Sequence, residues 1–156
     1  MIKLMIKGFA YDVSGSPIVL LTDEEEEKVL PLWIGLLEAH SIALAVEGTE
    51  MPRPMTHDLI ITICKMLKAT ISRVVINDLR DNTFYATIDL TTEIETIAMD
   101  ARPSDAIALA LRSSAPIYLK NNLADNMLSI SELIDEETKK ELDKFFNVSN
   151  LKKTLH

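Results

Sequence analysis

Hydrophobic and polar positions change rhythm along this chain, and the changes mark out its elements. Ile2 to Val13 is β-compatible, Ser14-Gly15-Ser16 is a turn signal and Pro17 to Leu21 resumes the strand, so the chain opens with a hairpin. Val29 to Ile34 reads as a third strand, and Leu36 to Val46 as a mostly apolar helix stopped by Gly48. The prolines of EGTEMPRPMTH, residues 47–57, bracket Arg53 and forbid helix, giving a stiff loop with one cation. Thr56 then suits the cap of a second helix, in which Leu59, Ile60, Ile63, Met66 and Leu67 form one apolar stripe. Asp58, Thr62, Lys65 and Lys68 are expected to face water. Thr70 to Asp78 is β-branched, Arg80-Asp81-Asn82 turns the chain, and Phe84, Ala86, Ile88 and Leu90 alternate with polar residues as in a half-exposed antiparallel strand. Ile94 to Met99 supplies another strand.

The stretch MDARPSDAIALALR, Met99 to Arg112, follows. Pro103 fits the first turn of a helix, and Ser104 and Asp105 suit its positive N-terminus. Ala106 to Leu111 is apolar all the way round, which a helix tolerates only when covered on most sides. Pro116 to Leu119 reads as a short edge strand. Asp135 is expected to cap a final helix with Leu142, Phe145 and Phe146 inward, and the last residues to fray.

Strand, strand, strand, helix thus occurs twice. Ile42-Ala43-Leu44-Ala45 recurs as Ile107-Ala108-Leu109-Ala110, an offset at which Val29 falls on Ile94 and Ile34 on Met99. The fold class expected is α+β, with internally duplicated β-β-β-α units in a largely antiparallel sheet packed with helices. With 156 residues, one domain over 1–121 is expected, its halves about 2–66 and 67–121, followed by a helical extension over 122–156.

Composition narrows the class. With 47% hydrophobic and 26% charged residues the chain resembles an ordinary soluble protein, and no apolar run reaches the roughly 18 residues of a membrane span. Charges interrupt the first apolar run, so no signal peptide is read there and a cytoplasmic location is expected. One cysteine, Cys64, excludes an internal disulfide and a Cys-based zinc cluster, and is expected to be a small core residue. The absence of glutamine hints at a heat-adapted source. A net charge of −8 weighs against passive nucleic-acid binding, which displaces counterions with a basic footprint. That charge is uneven. Asp23 to Glu27 contribute five acids in a solvated loop, whereas residues 30–120 hold eleven acids and eight bases.

Four scattered glycines build no phosphate-binding loop, and neither a nucleophile elbow nor a zinc-protease helix motif is present. What remains is a set of polar residues at helix starts: Glu38, Asp58, Asp100 and Asp105, with His40, His57, Arg53 and Arg102. Converging carboxylates could hold Mg²⁺ or Mn²⁺, with Glu38, Asp100 and Asp105 as ligands, while Arg53 and Arg102 grip a phosphodiester. His57, Asp58, Asp100 and Asp105 are the candidate catalytic groups. The same residues also suit simpler roles: Arg102 and Asp105 as an ion pair one turn apart, His57 and Asp58 as first-turn decoration, His40 as a core histidine. No organic cofactor is indicated. A homodimer is expected, from two helices too apolar to face water and the edge strand at Pro116 to Leu119.

The stretches LPLWIG, EAHSIALAVEG, MPRPMTHDL, NTFYATIDL and above all MDARPSDAIALALR with PIYL resemble the bacterial members of the bifunctional nuclease domain family, over about residues 2–120. The resemblance implies a nuclease acting on DNA, RNA or both, hence a nucleic-acid partner. The acidic balance departs from the basic plant members, and the helix expected after Asp135 does not resemble the UvrB/UvrC interaction segment that some relatives carry. The rival class is a non-catalytic oligomeric module in which the charged helix mouths bind a small anion or a protein partner.

Overall fold

The computed structural model describes residues 1–133, so the helix expected after Asp135 lies outside the described residues. Strands β1 (Ile2–Tyr11), β2 (Pro17–Thr22) and β3 (Lys28–Trp33) form an antiparallel meander followed by helix α1 (Leu36–Glu47). After helix α2 (Thr56–Met66), strands β4 (Thr70–Arg80), β5 (Thr83–Thr91) and β6 (Thr96–Ala101) form a second meander, followed by α3 (Pro103–Ser113). The chain then adds β7 (Ile117–Leu119), a 3₁₀ turn at Asn121–Asn126, β8 (Leu128–Ser129) and a turn of helix, α4 (Ile130–Leu133). Among these, no helix is long and apolar enough to cross a membrane.

All eight strands join one sheet in the order β6-β5-β4-β7-β1-β2-β3-β8. The first strand of each meander flanks β7, which runs antiparallel to β1 and parallel to β4, the one parallel pair among the described strands of a largely antiparallel sheet. Local chemistry supports the meanders. Asp12 Oδ1 accepts from the Ser14 and Ser16 amides at the first turn, and Asp23 Oδ1 from the Glu27 and Lys28 amides at the second. Asp81 and Asn82, both at positive φ (47° and 59°), make the two-residue turn whose twist suits a hairpin.

Helix α3 packs on β4 and β5 and carries α1 and α2 on its flanks. Ala106 to Ala110 are buried, as an all-apolar run requires. Four expectations change. The segment after Pro116 is the centre of the sheet, not an edge: the missing N–H of Pro116 falls outside the ladder, while its carbonyl accepts from Val74 at 3.0 Å. Helix α1 buries only Ala39, Ser41 and Ile42, leaving Leu36, Leu37 and His40 exposed, so His40 is not a core histidine. The cap of α2 is Met55 rather than Thr56, with Asp58 accepting the Met55 amide at 2.9 Å. The stripe of α2 is also turned: Leu59, Ile63, Met66 and Leu67 face water, while His57, Ile60, Ile61 and Cys64 turn inward. Polar anchors at the start of α2 set that rotation.

Candidate functional site

Those anchors belong to a network joining three helices. Arg102, the residue before α3, donates from Nε and Nη2 to both carboxylate oxygens of Asp105 at 2.7 and 3.2 Å, and from Nη1 to Glu38 at 2.9 Å. Pro103 fixes the first turn of α3, which sets the spacing of the Arg102–Asp105 pair. Glu38 is held from its own side as well, because its carboxylate folds over Gly35 into space that a Cβ would fill. From Asp105 the network runs inward: Oδ1 lies 3.0 Å from His57 Nε2, and His57 Nδ1 lies 2.7 Å from Ser41 Oγ. Arg112, about two turns along the same face of α3 from Asp105, donates to Ser41 Oγ, to the Ser41 and Ala108 carbonyls and to Asp58.

Exposure falls along this path, from 64% for the Arg102 side chain to 13% for His57 and 11% for Arg112. Burial pushes the Asp105 carboxyl up, but hydrogen bonds and charge from Arg102 and His57 outweigh it and hold the group below the ordinary carboxylate value. Asp58 is lowered by the Met55 amide first and Arg112 second. The Arg102 guanidinium is raised by Asp105 and then Glu38. An ionised Asp105 can only accept, so His57 Nε2 carries a proton, and in the neutral ring Nδ1 accepts from the Ser41 hydroxyl. The order hydroxyl, imidazole, carboxylate is that of a nucleophile relay. Ser41, however, is buried inside α1 and already bonded by Arg112, so its hydroxyl orients the imidazole rather than meeting a substrate.

The exposed end opens on a cleft of about 730 Å³ between the end of β3, the β4–β5 turn and the start of α3. Arg102 and Glu38 line it with Trp33, Phe84, Asn82 and Asn126.

The sequence-predicted residues are therefore brought together only in part. Glu38, Arg102, Asp105 and His57 form one chain of contacts, and Asp58 joins through Arg112. Asp100 does not join. It pairs in register with Thr87, on the face of the sheet opposite Met99 and Ile88 and so away from α3. Arg53 is exposed in its loop with no hydrogen bond or ion pair among the described residues. The three expected metal ligands Glu38, Asp100 and Asp105 do not converge: Arg102 stands between Glu38 and Asp105, and no group of three or more His, Cys, Asp or Glu suited to a metal occurs among the described residues. These residues do not fit a divalent cation. Ser41 and Arg112 are the members that sequence reasoning missed. Their signal was helical spacing, since Ser41 lies three residues after Glu38 and Arg112 seven after Asp105.

Fold and site together define an α+β domain of one sheet whose helix layer carries a polar network leading to a cleft. Residues 19–131 match the bifunctional nuclease domain, and the chain belongs to that family. An uncharacterized protein of Mycobacterium tuberculosis is 43% identical over 122 residues, covering 78% of this chain and 73% of the relative. Bifunctional nuclease 1 of Oryza sativa subsp. japonica is 29% identical over 114 residues, and bifunctional nuclease 2 is 30% identical over 112. These matches cover 70% and 69% of this chain but only 34% of each rice protein.

Proposed function

We propose that this domain hydrolyses phosphodiester bonds of nucleic acid at the mouth of the cleft beside Arg102. One observation carries the reading: an ionised carboxylate, backed by an imidazole, stands beside an exposed arginine on the rim of that cleft, inside the span that matches the family. Arg102 commits Nε and one hydrogen from each terminal nitrogen to Asp105 and Glu38, leaving two N–H groups for a phosphate oxygen. In the proposed step water attacks phosphorus, its proton passes to Asp105, and the P–O bond to the leaving oxygen breaks, that oxygen taking a proton from solvent. His57 acts through Asp105 as a positioning residue. Because the expected metal ligands stand apart, no step is routed through Mg²⁺ or Mn²⁺.

The test is cleavage of single-stranded DNA, duplex DNA and RNA by the purified chain, with each metal and with chelator. Asp105→Asn is expected to lower the cleavage rate by about 10²-fold or more. A variant that cleaves at the parental rate would overturn the assignment. One observation favours the second reading, a non-catalytic binding module: Glu38 and Asp105 together more than offset the charge of Arg102. Absence of cleavage under every condition would leave that reading in place.

A further inference from the structure

Each meander ends in an outer strand, and the two are finished differently. Strand β3 is covered by β8, with Lys28 opposite Ser129 and Val29 opposite Leu128. Among the described residues strand β6 has no outer neighbour, and Thr96 to Asp100 are all exposed to solvent there. It is a regular strand, paired to β5 without a bulge from Thr96 to Ala101 and free of proline and lysine, and Asp100 is the one charged side chain that guards it. Its apolar side chains, Ile97 (44% exposed) and Met99 (38%), sit opposite Leu90 and Ile88 and so face the helix layer, yet no described residue covers them. Helix α2 turns Leu59, Ile63 and Met66 outward from that same layer.

We propose that β6 pairs edge to edge with β6 of a second copy of this chain, continuing the sheet across a two-fold axis. The described chain ends at Leu133, beside β8 on the opposite edge, roughly 34 Å away along the sheet at ~4.8 Å per strand. That places the start of the remaining segment far from β6, and a second copy is the occupant whose chemistry matches. Antiparallel pairing centred on Ala98 sets Ile97 against the partner's Met99, and Thr96 against the partner's Asp100, so the Asp100 carboxylates never face each other. It also brings the acidic approach to the strand, Glu93 and Glu95, toward the partner's Arg102. The homodimer expected from the sequence is thereby moved to a different surface, since the Pro116 segment is central and α3 is covered within the chain.

Sedimentation equilibrium across the micromolar range is expected to give twice the 17.5 kDa of one chain. Ile97→Lys with Met99→Lys sets lysines against lysines and should halve the mass, whereas Leu128→Lys on the far edge should leave it unchanged. Ile97→Glu with Met99→Glu should also be monomeric alone, and mixing the two double variants should restore the doubled mass, which chains unable to fold could not do. A monomeric parental chain, or a dimer that survives both double variants, would overturn the proposal. So would a monomer whose β6 amides resist hydrogen exchange, an outcome that would assign the edge to residues 134–156.

Discussion

The two strand-strand-strand-helix units carry the same Ile-Ala-Leu-Ala run in their helices and bury it to different depths. In α3 the run is buried at every position, because sheet, α1 and α2 surround it. In α1 only the isoleucine of the run is fully buried, and the helix ends face water. The outer strands differ in the opposite sense: among the described residues β8 closes β3, whereas β6 has no outer partner. Sequence likeness between the units therefore fixes the kind of element at each place but not its surroundings, which depend on segments outside both units. The network ties them, with Glu38 and Ser41 on one side and Arg102, Asp105 and Arg112 on the other.

Core truncation should separate the units most strongly. Leu109→Ala in α3 should lose about 2–5 kcal/mol in denaturant unfolding, and the matching Leu44→Ala in α1, half-buried, less than half as much. Equal losses would mean that α1 is as enclosed as α3. Acid should act next, on the tie between the units. The folded-state value of Asp105 is lowered, so its contribution is full above the ordinary carboxylate value of 3.8 and is lost as pH falls through the lowered value. Melting temperature should thus drop below about pH 4, and Asp105→Asn should flatten that drop while lowering the neutral-pH plateau. An unchanged acid limb in the variant would place the loss elsewhere. The smallest effect concerns the helix ends. Both helices finish in left-handed backbone, α1 at Gly48 (φ 65°) and α3 at Ser114 (φ 56°). Ser114→Gly should therefore raise stability by about 0.5–1 kcal/mol, and Gly48→Ser should lower it similarly.

Most strands and all three long helices were legible because period-2 and period-3.6 patterns run long enough to be counted. Strand β7 was legible as a strand but not in its place, since three residues say nothing about their neighbours and Pro116 argued for an edge. The orientation of α2 failed for a different reason. Of the stripe of Leu59, Ile60, Ile63, Met66 and Leu67 only Ile60 turns inward; the rest lost to His57 and Asp58, whose bonds to Asp105 and Arg112 hold the other face inward. At the site, the Arg102–Asp105 pair was readable from spacing within one turn. Asp100 misled because it is close in sequence, yet strand alternation turns it to the opposite face of the sheet from the α3 network. Superposing residues 2–48 on 67–113 is the measurement that would establish the duplication which the repeated element order suggests.

Strand β7 also orders events in time. Each meander pairs residues near in sequence and can form as soon as it leaves the ribosome, whereas Ile2 must wait for Leu119 before β1 gains its inner neighbour. Until then the nascent chain holds two half-sheets, each with an open inner edge, and a segment only three residues long decides when they become one.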